Sequence, residues 1–164
     1  MTIAQLIAVL ESSDPLVRRD ARDALVTHGA AVIPMLITAL QSPHHHVRWE
    51  ALKALETVGD ATVAPALVSV LTDEDFGIRW MAAEILGSLG DAGMIPLLET
   101  YLHDNGGTWM TDSVHHALGF YRGHFNQPLE HLLLALNENN DFAYVTWAAG
   151  QALRSLEERQ RKKQ

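Results

Sequence analysis

Residues 45–71 read HHVRWEALKALETVGDATVAPALVSVL, and they contain the whole architectural unit of this protein. Val47, Ala51, Ala54, Leu55 and Val58 fall at i, i+4, i+7, i+8 and i+11, a single apolar stripe along an α-helix. Gly59 falls where that helix must end. Pro65 then stands in the first turn of a second helix, where a missing N–H costs nothing, and Val63, Leu67, Val70 and Leu71 form its stripe.

The unit recurs in both directions. Val17-Arg18, Val47-Arg48 and Ile78-Arg79 are spaced by 30 and then 31 residues. The first-helix template returns upstream as Val17, Ala21, Ala24, Leu25, His28 and downstream as Ile78, Ala82, Ile85, Leu86, Leu89. Two more units keep it as Met110, Val114, Ala117, Leu118, Tyr121 and as Val145, Ala149, Ala152, Leu153, Leu156. His28 is the one clearly polar member, and the many alanines let neighbouring helices approach closely. Second stripes begin at Val32, Val63, Met94 and Phe125, a constant step of 31 residues. Pro34, Pro65, Pro96 and Pro128 lie in their first turns, and Gly29, Gly59 and Gly90 precede three of them. Residues 2–12 carry the second-helix pattern alone, in Ile3, Leu6, Ile7 and Leu10, which predicts a half-repeat closing the N-terminal end of a stack. Strand-like alternation is absent. The expected organisation is one repeat domain over 1–157 and a basic, frayed tail over 158–164.

Composition narrows the functions. The chain has no cysteine, which excludes disulfides, thiolate metal sites and cysteine nucleophiles and fits a reducing cytoplasm. The opening MTIAQLIAVLESSD lacks a basic leader region and reads as a structural helix, and no apolar run is long enough to span a membrane, so a cytoplasmic protein is expected. Net charge is −8, but Arg159, Arg161, Lys162 and Lys163 crowd the last six residues. The other 158 carry 8 basic and 20 acidic side chains, hence −12. Nucleic acid binding depends on neutralising phosphates, so so acidic a body argues against DNA or RNA as the ligand.

The segments DPLVRRDARDALVTHGAAVIPMLITAL, HHVRWEALKALETVGDATVAPALVSVL and DFGIRWMAAEILGSLGDAGMIPLLETYL resemble HEAT repeats, particularly the short variety named after phycobilisome lyases. The likeness is strong over 14–103 and weaker to about 157. It implies an all-α fold: a right-handed superhelical α-solenoid of about five two-helix repeats, with first helices convex and second helices lining a concave groove. It also implies an arginine ladder, Arg18, Arg48 and Arg79, meeting Asp60 and Asp91 between units and ending where Thr111 and Thr146 replace the arginine.

Two residues beyond the first template position, on the side of the helix away from the stripe, stand Arg19, Trp49, Trp80, Asp112 and Trp147. Three of the four tryptophans thus share one outward row, to be read as a partner surface or as rings laid over the alanine seam. On the second helices Thr38, Ser69, Thr100 and His131 form a small polar row, the floor of a shallow groove for a partner segment. The fourth unit is irregular, with an insertion over 103–109 and a departing turn over 121–125, and its Trp109, His115, His116, Tyr121 and His124 form a candidate specific site. His44, His45 and His46 cannot share one metal ion because consecutive helical side chains diverge by roughly 100°. Capping of the following helix is their expected role, and no metal or cofactor is assigned.

These features favour a non-catalytic protein-interaction scaffold. The resemblance offers three enzymatic alternatives. The di-iron HEAT hydroxylases need His-Glu dipeptides, and this chain has none, its nearest equivalents being Trp49-Glu50 and Ala83-Glu84. The HEAT-like alkylpurine glycosylases need a basic face. A phycobilin-lyase-like protein, handling a tetrapyrrole or its carrier protein, stays open because the fourth unit supplies the aromatic and histidine contacts that such a groove uses.

Overall fold

The structure is a computed structural model and describes residues 1–104, 108–138 and 141–163, the side chain of Thr108 excepted. Part of the expected insertion, 105–107, therefore lies outside the described residues. The described residues form helices and no strand: α1 (Ile3–Val9), α2 (Pro15–Val26), α3 (Ile33–Ala39), α4 (His45–Val58), α5 (Ala64–Ser69), α6 (Phe76–Ser88), α7 (Asp91–His103), α8 (Thr108–Gly119), α9 (Gln127–Asn137) and α10 (Phe142–Arg161). Short 3₁₀ turns, Gly29–Val32 and Ala61–Val63, lead into α3 and α5. No helix among the described residues is long and apolar enough to cross a membrane.

This is an α-solenoid. The first helices α2, α4, α6 and α8 pack successively in one layer, and α1, α3, α5 and α7 lie in the other. A single apolar core runs from Leu6 to Leu156 and absorbs nearly all of the predicted stripe positions. Val17 is the clear exception, 42% exposed at the open end of the stack. Close approach is built into the seams. A Cβ on Gly87 of α6 would stand 2.1 Å from the Ala117 carbonyl oxygen of α8, and one on Gly93 of α7 would stand 2.0 Å from the Leu86 carbonyl oxygen.

Caps and stops explain where the helices begin. Asp14, Asp75, Asn126 and Asp141 accept backbone N–H bonds at the starts of α2, α6, α9 and α10. Gly29 and Gly90 adopt φ of +58° and +64°, a conformation that disfavours any side chain. Pro34, Pro65 and Pro128 occupy first turns as predicted. Pro96 does not: α7 begins already at Asp91, so this proline lies inside the helix and deprives the Ala92 carbonyl of its usual donor. His44 stands at the N-cap of α4 without making the side-chain bond expected of it. Its ring stacks on His46 instead, with centroids 5.5 Å apart.

The arginine ladder exists, but its rungs are different from those implied by the resemblance. Arg18, Arg48 and Arg79 each turn Nη1 back to the carbonyls five and six residues earlier: Ser12 and Ser13, Ser42 and Pro43, Asp73 and Glu74. Each guanidinium thereby clasps the end of the preceding unit to the next first helix and satisfies carbonyls that no helix can. Asp60 is occupied by Thr62 at the 3₁₀ turn, and Asp91 by the C-terminal helix.

Threonine replaces that arginine at 111 and 146; α8 with Thr111 still stacks on α6, and the regular stacking ends only at α10. The fifth first-helix was expected to lie on the fourth; α10 instead lies along α7 and α9. It covers the second-helix layer with Val145, Ala149, Ala152 and Leu156, all buried. The helix also runs unbroken across the predicted boundary at 157, as far as Arg161.

The two kinds of glycine separate in a stability test. Gly87→Ala should lower unfolding free energy by on the order of 2 kcal/mol, because the added methyl meets backbone that cannot move aside. Gly150→Ala, in mid-α10 with only the Arg154 guanidinium at 3.6 Å, should raise it by about 0.5–1 kcal/mol. Urea unfolding followed by circular dichroism measures both.

Candidate functional site

The outward tryptophan row forms part of an aromatic ridge in which rings of α6 and α8 touch directly and Trp49 of α4 approaches by way of Gly77. Trp49 reaches from α4 onto the start of α6, where its ring atom Cζ3 would stand 3.1 Å from a Cβ on Gly77. Trp80 packs beside Phe76, centroids 5.2 Å apart, and stacks on His116 of α8 at 3.5 Å. Phe120 then closes on His116 at 4.8 Å. Phe76 with Trp80 and His116 with Phe120 are i, i+4 pairs in the sequence, but Phe76 and Phe120 lie outside the repeat template, which therefore does not mark them. The rings both cover the seam and stay open to solvent: Trp49 is 38% exposed, Trp80 43%, Phe76 61% and Trp109 60%. Burial and the neighbouring His115 hold His116 below the ordinary imidazole value, so its ring is an uncharged member of the ridge near neutrality.

Trp109 joins the ridge through Arg79, whose guanidinium carbon lies 3.7 Å from the Trp109 ring centroid and 5.7 Å from that of Phe76. Phe76, Trp80, Trp109, Asp112 and Ser113 surround this buried guanidinium in a pocket of about 90 Å³. Trp147 belongs elsewhere. It pairs with Tyr144, three residues back on α10, with centroids 5.7 Å apart, and the position of α10 sets it over an apolar pocket with Leu102 and Phe142.

The polar row on the second helices is divided as well. Thr38, Ser69 and Thr100 donate their hydroxyls to the carbonyls of Pro34, Ala66 and Pro96 on their own helices, at 3.1, 2.7 and 2.8 Å. Their hydroxyl protons are therefore already engaged. His131 is exposed on α9 and leaves this row, because α10 occupies the place beside α7.

The fourth-unit cluster does not converge. Trp109 and His116 face the ridge, His115 bonds Asn137 at 2.9 Å, and Tyr121 turns into the body. Its hydroxyl donates to the Asp91 carboxylate and accepts from Arg159 Nη2 at 2.9 Å. Arg159 also approaches Asp91 at 3.3 Å and donates to the His124 carbonyl, and Lys163 reaches Asp91 at 3.2 Å. Tyr121 is thus a buried anchor and not a surface contact, as its template position made it in the first place. Among the described residues no three His, Asp or Glu side chains come together in a metal-binding group.

This anchor is pH-sensitive. Burial first, and then the Asp91 carboxylate, push the Tyr121 hydroxyl up to about 12 from 10.0. For Asp91 burial acts upward, but the Tyr121 bond, Lys163 and Arg159 together hold its carboxyl below the ordinary range. Since the folded value of Tyr121 is the higher one, its contribution is complete below pH 10 and is lost as pH rises toward 12. Denaturation midpoints between about pH 9 and 12 should fall steeply in the native chain and less steeply in Tyr121→Phe. Parallel slopes in the two would refute the assignment.

The chain matches the family described as HEAT repeats over residues 3–74 and again over 33–119. No curated protein is a sequence match. Among solved structures it is similar to a chain in the complex of CpcE and CpcF of phycocyanin lyase from Nostoc sp. PCC7120, with a TM-score of 0.61 and 22% identity over 90% of this chain and 95% of that one. The structural likeness is one of fold. Together with the repeats clasped at Arg18, Arg48 and Arg79, the match across most of the sequence establishes that the chain belongs to the HEAT repeats family.

Proposed function

We propose that this protein is a non-catalytic interaction scaffold that binds a protein partner across the ridge Trp49–Phe76–Trp80–Trp109. The observation that carries the reading is the exposure of aromatic rings along the first helices of three successive units. A tryptophan presents on the order of 200 Å² of largely apolar area, and such rings are the side chains that most often anchor protein interfaces. Here they are held in fixed positions by contacts to Gly77 and His116, so ordering them on binding costs little. HEAT repeats supply the rigid frame, and the exposed Thr38 and Ser69 floor on the second-helix layer is the secondary contact surface.

A second reading draws on the solved neighbour, which comes from a phycocyanin lyase complex of two subunits. In it the chain pairs with a second subunit and handles a tetrapyrrole or its carrier protein, with the aromatic and histidine surface of α8 as contact.

One experiment serves both. The protein is captured from its native extract as wild type and as Trp49→Ala/Trp80→Ala, and the eluate is analysed by mass spectrometry and a visible absorbance scan. A stoichiometric, colourless protein partner, held at least tenfold more weakly by the variant while helical content is unchanged, is the expected result. Unfolding of the variant would make the rings structural and move the interface elsewhere. A bound chromophore would favour the second reading.

A further inference from the structure

The three clasping arginines are equivalent in backbone geometry but not in counter-charge. Arg18 has the Glu50 carboxylate at 3.8 Å and Arg48 has Asp73 at 2.7 Å. Arg79 is buried to the same degree as Arg48, yet no carboxylate lies within ion-pair distance of it among the described residues. The residue in register with Asp73 is Asp104, and it does not close on Arg79; the indole of Trp109 covers the guanidinium instead. A guanidinium has five N–H donors in one plane, and Nη1 meets two backbone carbonyls. The cation forms the floor of the 90 Å³ pocket walled by Phe76, Trp80 and Trp109. The pocket has room for a carboxylate and its adjoining methylene.

We infer that this pocket receives one acidic side chain from the protein partner, so that the partner supplies the carboxylate missing from the third rung. The inference rests on the proposed reading of the ridge as a protein-binding surface. A largely buried guanidinium with free N–H groups gains more from a carboxylate than from water, and the aromatic walls exclude water from the pair as it forms. The protein's acidic body disfavours a partner segment that is acidic throughout. The fitting segment is therefore a single glutamate or aspartate set among apolar residues, its neighbours resting on Trp49, Phe76 and Trp80. Asp112, exposed on the rim, opposes the incoming charge and sets the sign of the test.

The intact protein is titrated with end-blocked pentapeptides Ala-Leu-Xaa-Leu-Ala in which Xaa is Glu, Gln or Lys, and the indole N–H resonances of Trp80 and Trp109 are followed by NMR. Arg79 is left unchanged because it clasps the fold. The glutamate peptide should shift both indoles saturably and bind at least fivefold more tightly than the glutamine peptide. Asp112→Asn should tighten the glutamate peptide by roughly threefold, through loss of one like charge at the rim. Equal binding of the glutamate and glutamine peptides, preference for lysine with weakening in Asp112→Asn, or no shift with any peptide would each overturn the assignment. Tighter binding of an Ala-Leu-Ala peptide through a free C-terminal carboxylate would overturn the side-chain source. Because these probes do not require the partner, a failure here leaves partner capture by the ridge untouched, and loss of capture leaves the pocket result standing.

Discussion

No unit of this protein can bury its own apolar stripe. A pair of helices as short as α2 and α3, or α4 and α5, leaves one flank of each stripe uncovered, and that flank becomes buried when the next unit arrives. The rest of the structure follows from this constraint. Alanines at 51, 54 and 82 and glycines at 87 and 93 bring the helices close enough to exclude water from the seam. The core accordingly forms one cluster from end to end, without a centre.

Stacking creates a polar problem at each junction. A second helix must end, and a new first helix must begin, within a few residues of chain whose carbonyls would otherwise be left dry. The guanidiniums of Arg18, Arg48 and Arg79 solve it by donating to the carbonyls at i−5 and i−6 while lying almost buried between units. The same geometry places Trp49 and Trp80 outward, one residue on, so the clasp and the aromatic ridge are two faces of one local arrangement. The register is kept through α8, which already carries threonine in place of the arginine, and is lost at α10. That helix leaves the first-helix layer and is secured to α7 by the Asp91, Tyr121, Arg159 and Lys163 network.

The repeat, its helix boundaries and most of its buried positions were legible in the sequence because they depend on spacing along the chain. Val47, Ala51, Ala54 and Leu55 share a face by helical geometry alone, whatever surrounds them. The outward tryptophan row was legible for the same reason. Tyr121 shows where such reasoning ends: its template position marks it as buried, and its aromatic neighbours mark it as a site residue, and only the packing of α10 chooses between them. Pro96 and His44 are smaller cases, in which one extra turn of helix and one ring stack replaced the expected first-turn and capping roles.

By itself, then, the sequence determined a stack of short helix pairs with an aromatic face, because i, i+4 and i+7 relations are local and survive any arrangement of the units. Tertiary structure decided which partners those residues meet. Asp91 pairs with a helix that begins about fifty residues later in the chain, Arg79 meets Trp109 and no carboxylate of its own ladder, and α10 lies on α7. These contacts join positions separated by 30 residues or more, where no periodicity constrains the chain, and they are chosen by the burial and charge that remain unsatisfied once the local helices have formed.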